Sequence, residues 1–164
     1  MSQLDRAHLG ARYRAVREQT ESLARPLSPE DQQVQSMDDA SPTKWHLAHV
    51  SWFFETFVLQ PHAPGYAPFH PRYGYLFNSY YEAVGPRHAR TNRGLATRPP
   101  LADIMAYRAH VDRAMDGFLA GAGEKALADV ASLVTLGLHH EQQHQELLLT
   151  DIKHALAVQP LHPA

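Results

Sequence analysis

Two segments of this chain carry apolar residues through several helical turns, and each has histidines near its middle. SPTKWHLAHVSWFFETFVL begins at Ser41, runs apolar to Leu59 and contains His46 and His49. A second stretch begins near Glu124, continues to about Val158, and contains His140 and His144 within HHEQQHQELLLTDIKH. Residues four apart share a helix face, separated by about 6 Å of rise. His140 and His144 can therefore reach one point from adjacent turns. Leu133, Leu136 and Gly137 extend that face upstream, and Leu147, Leu148 and Asp151 extend it downstream. The stripe should face a core, where an unpaired polar group costs about 1–3 kcal/mol. Shared hydrogen bonds or a shared metal ion would satisfy the two imidazoles. His46 or His49 could add a third ligand across two packed helices, as bundles do. His49 lies on a stripe with Trp45, Trp52 and Phe53, and His46 on one with Val50, Phe53 and Phe57. Periodicity leaves that choice open.

The remaining pattern is helical too. Leu4, Leu9, Tyr13, Val16 and Leu23 recur at roughly helical spacing. SPED at Ser28–Asp31 has an N-cap serine, a proline at the first helical position and acids in the first turn, and predicts a short helix to about Gln35. Ser41 and Pro42 repeat that start, and Pro61 is expected to stop the helix after Leu59. Leu101 to Gly121 is a further amphipathic helix, with Ile104, Tyr107 or Arg108, Val111, Met115 and Phe118 or Leu119 along its stripe. Between Gln60 and Pro100 the period vanishes into a Pro-, Gly-, Tyr- and Arg-rich crossover. Its aromatic residues argue that it packs over the domain. Four long helices and one elaborate crossover predict an all-α helical bundle.

HEQQH also fits the zinc-protease pattern HExxH. The reading fails downstream. QELLLT follows His144 where a metzincin needs Gly and His, and no strand pattern accompanies the helix. Glu141 is therefore expected behind the ligands or at the surface.

Composition bounds the class. The 164 residues, 44% hydrophobic and 20% charged, suit one soluble globular domain. With no cysteine, a metal must be held by nitrogen and oxygen. A formal net charge of −2 gives no electrostatic footprint for nucleic acid. No apolar run suits a membrane span and the N-terminus has no apolar signal core, so a cytoplasmic location is the default.

SPTKWHLAHVSWFFETFVL, LFNSYYEAVGPRHARTNRGL, AYRAHVD and HHEQQHQELLLTDIKH, taken in order, resemble the N-terminal part of the ergothioneine-biosynthesis sulfoxide synthases. The resemblance runs from about Tyr13 to the end. It implies an all-α, DinB-like four-helix bundle with a long irregular crossover between helices 2 and 3. It implies non-haem Fe(II) on three histidines: His49, in the LAH position, with His140 and His144. Gln143 would help place the histidine-derived substrate. Arginines of the crossover would bind the thiol's carboxylates, and the segment offers Arg87, Arg90 and Arg93 without fixing which pair. The implied reaction is that of a non-haem iron oxidoreductase. It joins a thiol (cysteine or gamma-glutamylcysteine) to Nα-trimethylhistidine (hercynine), uses O2, and leaves a sulfoxide. Three imidazoles would also suit Zn, Ni or Co, so iron rests on the resemblance.

Sulfoxide synthases of this type carry a second, formylglycine-generating-enzyme-like domain that residues 1–164 do not include. The expectation is a metal-binding bundle that turns over poorly or not at all alone. Its partners would be hercynine, a low-molecular-weight thiol and O2, with no nucleic acid and no membrane. Two alternatives are a DinB-like three-histidine divalent-metal thiol transferase and a non-catalytic metal-binding helical module. His8, His62, His70, His88, His110, His154 and His162 read as surface or packing residues, and His139 points away from His140.

Overall fold

The computed structural model describes residues 3–81, 83, 85–161 and 163. Four long helices dominate: α1 (Gln3–Ala24), α2 (Thr43–Phe54), α3 (Leu101–Gly121) and α4 (Glu124–Ala157). No strand occurs among the described residues, and none of their helices is long and apolar enough to cross a membrane. α1 packs on α3 and α4, and α2 packs on the same two helices from inside the bundle.

All twelve residues of α2 are buried. That explains why its sequence shows no polar face. After Phe54 the helix widens into a π turn at Glu55–Leu59 and continues through Gln60–His62. It therefore passes Pro61, which was expected to stop it. The widened turn lies just where a proline ring would meet the carbonyl four residues back.

The expected short helix to Gln35 forms only as a 3-10 turn, Asp31–Gln33. Ser28 and Asp31 do exchange the expected capping bonds: the Asp31 N–H donates to Ser28 Oγ at 3.1 Å, and the Ser28 N–H donates to Asp31 Oδ2 at 3.0 Å. Val34 then turns extended. The Gln35 side chain leaves to bridge the crossover, accepting from the Gly94 N–H at 2.6 Å and donating to the Arg90 carbonyl at 2.8 Å.

The crossover carries a one-turn helix at Tyr73–Leu76 and a 3-10 turn at Arg90–Leu95 among its described residues. Buried Glu55 holds its start, accepting from Tyr66 Oη at 2.6 Å and from the Phe69 N–H at 3.0 Å. Trp45 Nε1 holds its middle, donating to the Leu76 carbonyl at 3.1 Å.

α4 buries Val130, Val134, Gly137, Leu138, Glu141, His144, Leu148 and Ile152. This stripe is rotated from the expected one. Leu136 is 57% exposed, and the stripe runs through Glu141. A charged residue at the centre of a core stripe hides its axis from a hydrophobic pattern. Gly137 lets α4 approach α2 closely. A Cβ there would come within 2.6 Å of Phe54 Cε1 and 2.8 Å of Phe53 Cε1.

Candidate metal centre

The close approach at Gly137 brings α2 against α4 one turn before the histidines. The side chains of His49, His140 and His144 offer ligand atoms that all lie within 4.8 Å of one another. Their ring centroids form a near-regular triangle with sides of 4.9, 4.6 and 4.6 Å, each pair edge-on. His49 Nε2 and His140 Nε2 are 3.2 Å apart. Nitrogens each about 2.1 Å from one ion stand roughly 3.0 Å apart at a right angle and roughly 3.4 Å at a tetrahedral angle. The observed spacing lies between those values, so the three histidines could hold a metal ion.

Each imidazole is supported differently at its other nitrogen. The Phe77 carbonyl accepts from His49 Nδ1 at 2.6 Å, which leaves Nε2 bare. His144 Nδ1 lies 2.9 Å from His46 Nδ1. His140 Nδ1 is buried with no partner. His49 is also sandwiched, stacked on Trp45 at 4.5 Å and on Trp52 at 5.4 Å. Burial holds all three rings in the neutral form. It lowers His140 to about 4, and it lowers His49 and His144 well below the ordinary value with help from the neighbouring histidines. Neutral rings keep the lone pairs that a metal needs. Nitrogen donors alone do not select among Fe, Ni, Zn and Cu.

The structure separates His46 from this cluster. His46 stands behind His144, and its Nε2 contacts Asp151 Oδ2 at 2.9 Å. Gln143 is exposed and lines the cavity in front of the histidines, which has a volume of about 250 Å³. Arg90 and Arg93 line the same cavity. Arg87 does not. It donates to the Ser79 carbonyl and packs on Tyr80, so it braces the crossover loop.

Arg93 is 3% exposed, lies 3.4 Å from the Trp45 ring centre, and donates to Ser41 Oγ at 2.9 Å and Ser79 Oγ at 3.3 Å. Its Nε has no partner, and it forms no salt bridge among the described residues. Burial, with Arg90 nearby, lowers it to about 9. It is a buried cation with no direct ion-pair partner among the described residues, and Asp151, on the same cavity, favours its charge only from a distance.

Glu141 corrects the sequence reading. It is neither behind the ligands nor at the surface. It is fully buried and faces away from the cavity, toward Arg17, Arg108 and Thr20. Sequence reasoning missed this network. The available signal was that Tyr13, Arg17 and Thr20 share one helical face, with Arg108 on the stripe of α3. Several of the remaining histidines make single bonds outside the cavity lining, such as His154 Nδ1 with Ser36 Oγ at 2.8 Å and His110 Nε2 with the Ala67 carbonyl at 3.1 Å. His162 lies outside the described residues.

No curated protein matches this sequence. The profile described as DinB superfamily matches residues 12–148, which span α2, α3, the crossover and all three clustered histidines. This chain belongs to the DinB superfamily.

Proposed function

We propose that His49, His140 and His144 hold one divalent metal ion, and that this bundle serves an O2-dependent sulfoxide synthase of the ergothioneine type, with Fe(II) as the working ion. DinB superfamily members are often metal-dependent enzymes. The finer reading rests on the motif resemblance. One observation carries it: three neutral imidazoles share a cavity of about 250 Å³ with a buried arginine that forms no salt bridge among the described residues and whose Nε has no partner. That pairing suits a small substrate with a metal-seeking group and a carboxylate. Cysteine and gamma-glutamylcysteine carry both.

A bound Fe(II) would supply coordination positions for a thiol and for O2, while the thiol and the imidazole C2–H would give up the four electrons that O2 takes in forming the sulfoxide oxygen and water. The chain's own groups would orient the substrates. Arg93, with Arg90 beside it, would meet the thiol's carboxylate as a planar fork. Gln143 would hydrogen-bond hercynine at the cavity edge. Trp45, stacked on both His49 and Arg93, would keep water from the ligand and the cation together. A second, formylglycine-generating-enzyme-like domain would complete the substrate contacts, so turnover by residues 1–164 alone is expected to be poor or nil.

Elemental analysis with anaerobic Fe(II) titration tests the reading. One ion per chain is expected, lost in each of His49→Ala, His140→Ala and His144→Ala. Arg93→Ala should weaken thiol binding by about 10- to 100-fold, as loss of a charge-assisted bond does. O2-dependent sulfoxide formation in a longer chain carrying the second domain would support the synthase. Anaerobic thiol transfer with zinc would replace it with the transferase, and a metal-free wild type would remove both.

A further inference from the structure

Asp151 Oδ2 sits at a junction. It accepts the Ser41 backbone N–H at 2.8 Å and lies 2.9 Å from His46 Nε2. A carboxylate oxygen used as acceptor requires His46 Nε2 to carry the hydrogen. In a neutral imidazole that leaves His46 Nδ1 with a lone pair and no hydrogen. The 2.9 Å contact between His46 Nδ1 and His144 Nδ1 can then have only one polarity: His144 donates. His144 Nε2 is thereby left bare on the side facing His49 and His140. The direction of every bond in this chain is set from one end by the Asp151 carboxylate, which has no hydrogen to give.

From this geometry we infer that His46 and Asp151 form a supporting arm that fixes His144 in its Nδ1–H form and aims its Nε2 at the metal position. His46 is a positioning residue rather than a ligand, and Asp151 anchors it. The inference rests on the metal-binding reading of His144. Ligating histidines commonly donate their second N–H to an acceptor that fixes ring and tautomer. The arm differs from the support of His49, which is a backbone carbonyl, and from His140, which has none. It also spans two helices. His144 and Asp151 are two turns apart on α4, and His46 reaches both from α2, one turn before His49. Losing the arm therefore frees one ligand while leaving the other two in place.

Two measurements on purified protein test it. The first is the 15N shift pattern of the His144 ring in metal-free protein. Wild type should show the Nδ1–H form, and His46→Phe should show a mixture or a switch to Nε2–H. A His144 ring that is Nε2–H in wild type overturns the inference, whether or not the protein binds metal. The second is Co(II) titration followed by its visible spectrum. His46→Phe should weaken Co(II) by about 10- to 100-fold, the range for loss of such outer partners. It should also shift the spectrum while the metal-free protein melts near the wild-type temperature. His46→Gln, whose carbonyl can accept from His144 while its amide donates to Asp151, should restore most of the affinity and also serves if the Phe variant does not fold. Unchanged Co(II) affinity and spectrum in His46→Phe would overturn the arm. So would complete loss of binding in both His46 variants, which would make His46 a ligand. A wild type that binds no Co(II) would instead remove the metal reading, and the ring tautomer would still decide the arm.

Discussion

His140 and Glu141 are neighbours on α4, about 100° apart around the helix, and they enter two polar systems of opposite character. On the Glu141 side every strong group is answered. Glu141 Oε2 accepts from Arg17 at 3.0 Å, and Oε1 accepts from Thr20 at 2.7 Å and Arg108 at 3.4 Å. Arg17 also donates to Asp112 at 2.7 Å and Ser51 at 2.8 Å, and Arg108 donates to the Leu47 carbonyl at 3.0 Å. On the His140 side the accounts stay open. Two ring nitrogens face each other at 3.2 Å, and His140 Nδ1 and Arg93 Nε have no partner among the described residues. Buried polar groups are normally satisfied, so the closed system is built to hold helices and the open one to receive something. Burial and charge are common to both. Completeness distinguishes them.

The largest expected effect breaks the closed side. Glu141→Ala would remove the carboxylate that buried Arg17 and Arg108 share, leaving Asp112 on Arg17 and Glu21 on Arg108, at a cost of about 3–5 kcal/mol. Urea unfolding measures it. A metal-free His140→Ala, which removes a ring whose Nδ1 has no partner, should lose far less, and equal losses would erase the contrast. A smaller effect is expected where the two sides meet the packing. Gly137→Ala forces a Cβ against Phe53 and Phe54, and overpacking of this kind costs about 1–3 kcal/mol. It should also weaken metal binding, because it pushes α4 off α2 one turn before His140. A stable Gly137→Ala with wild-type metal affinity would show that this approach does not set the site.

The smallest effect sharpens the comparison through pH. His140 is lowered by burial from 6.5 to about 4. Between those values the unfolded chain binds more protons than the folded one. Its contribution to metal-free stability is therefore complete above about pH 6.5 and drains as pH falls toward about 4. Glu141 responds lower. Burial alone would raise its carboxyl, but Arg17 and Arg108 more than reverse that and hold it below the ordinary 4.5. Its stabilisation is present above that value and lost only on further acidification. Urea midpoints between about pH 4.5 and 7 should fall with acid in wild type and fall less in His140→Ala. Identical slopes would assign the acid sensitivity elsewhere.

These contrasts also mark what the sequence could disclose. Ser-Pro starts, helical spacing and the glycine at 121 outlined the four helices, and the i,i+4 spacing paired His140 with His144. His46 and His49 could not be separated by pattern, because α2 is buried on every side and has no polar face to orient it. Glu141 looked peripheral for a related reason. A hydrophobic stripe with a carboxylate at its centre reads as one shifted toward Leu136, and the compensating arginines lie far away in sequence. Arg87, Arg90 and Arg93 are equivalent as letters. Only the path of an aperiodic segment puts Arg90 and Arg93 in the cavity and Arg87 on Tyr80.

The bond from His49 Nδ1 to the Phe77 carbonyl ties that segment to the helices. Whatever engages His49 Nε2 polarises the ring and strengthens its grip on the crossover backbone. Ion binding and closure of the crossover thus share one opening equilibrium. Amide protons around Phe77 should exchange with solvent more slowly when the site is loaded, so a segment with almost no regular structure of its own becomes a reporter of occupancy.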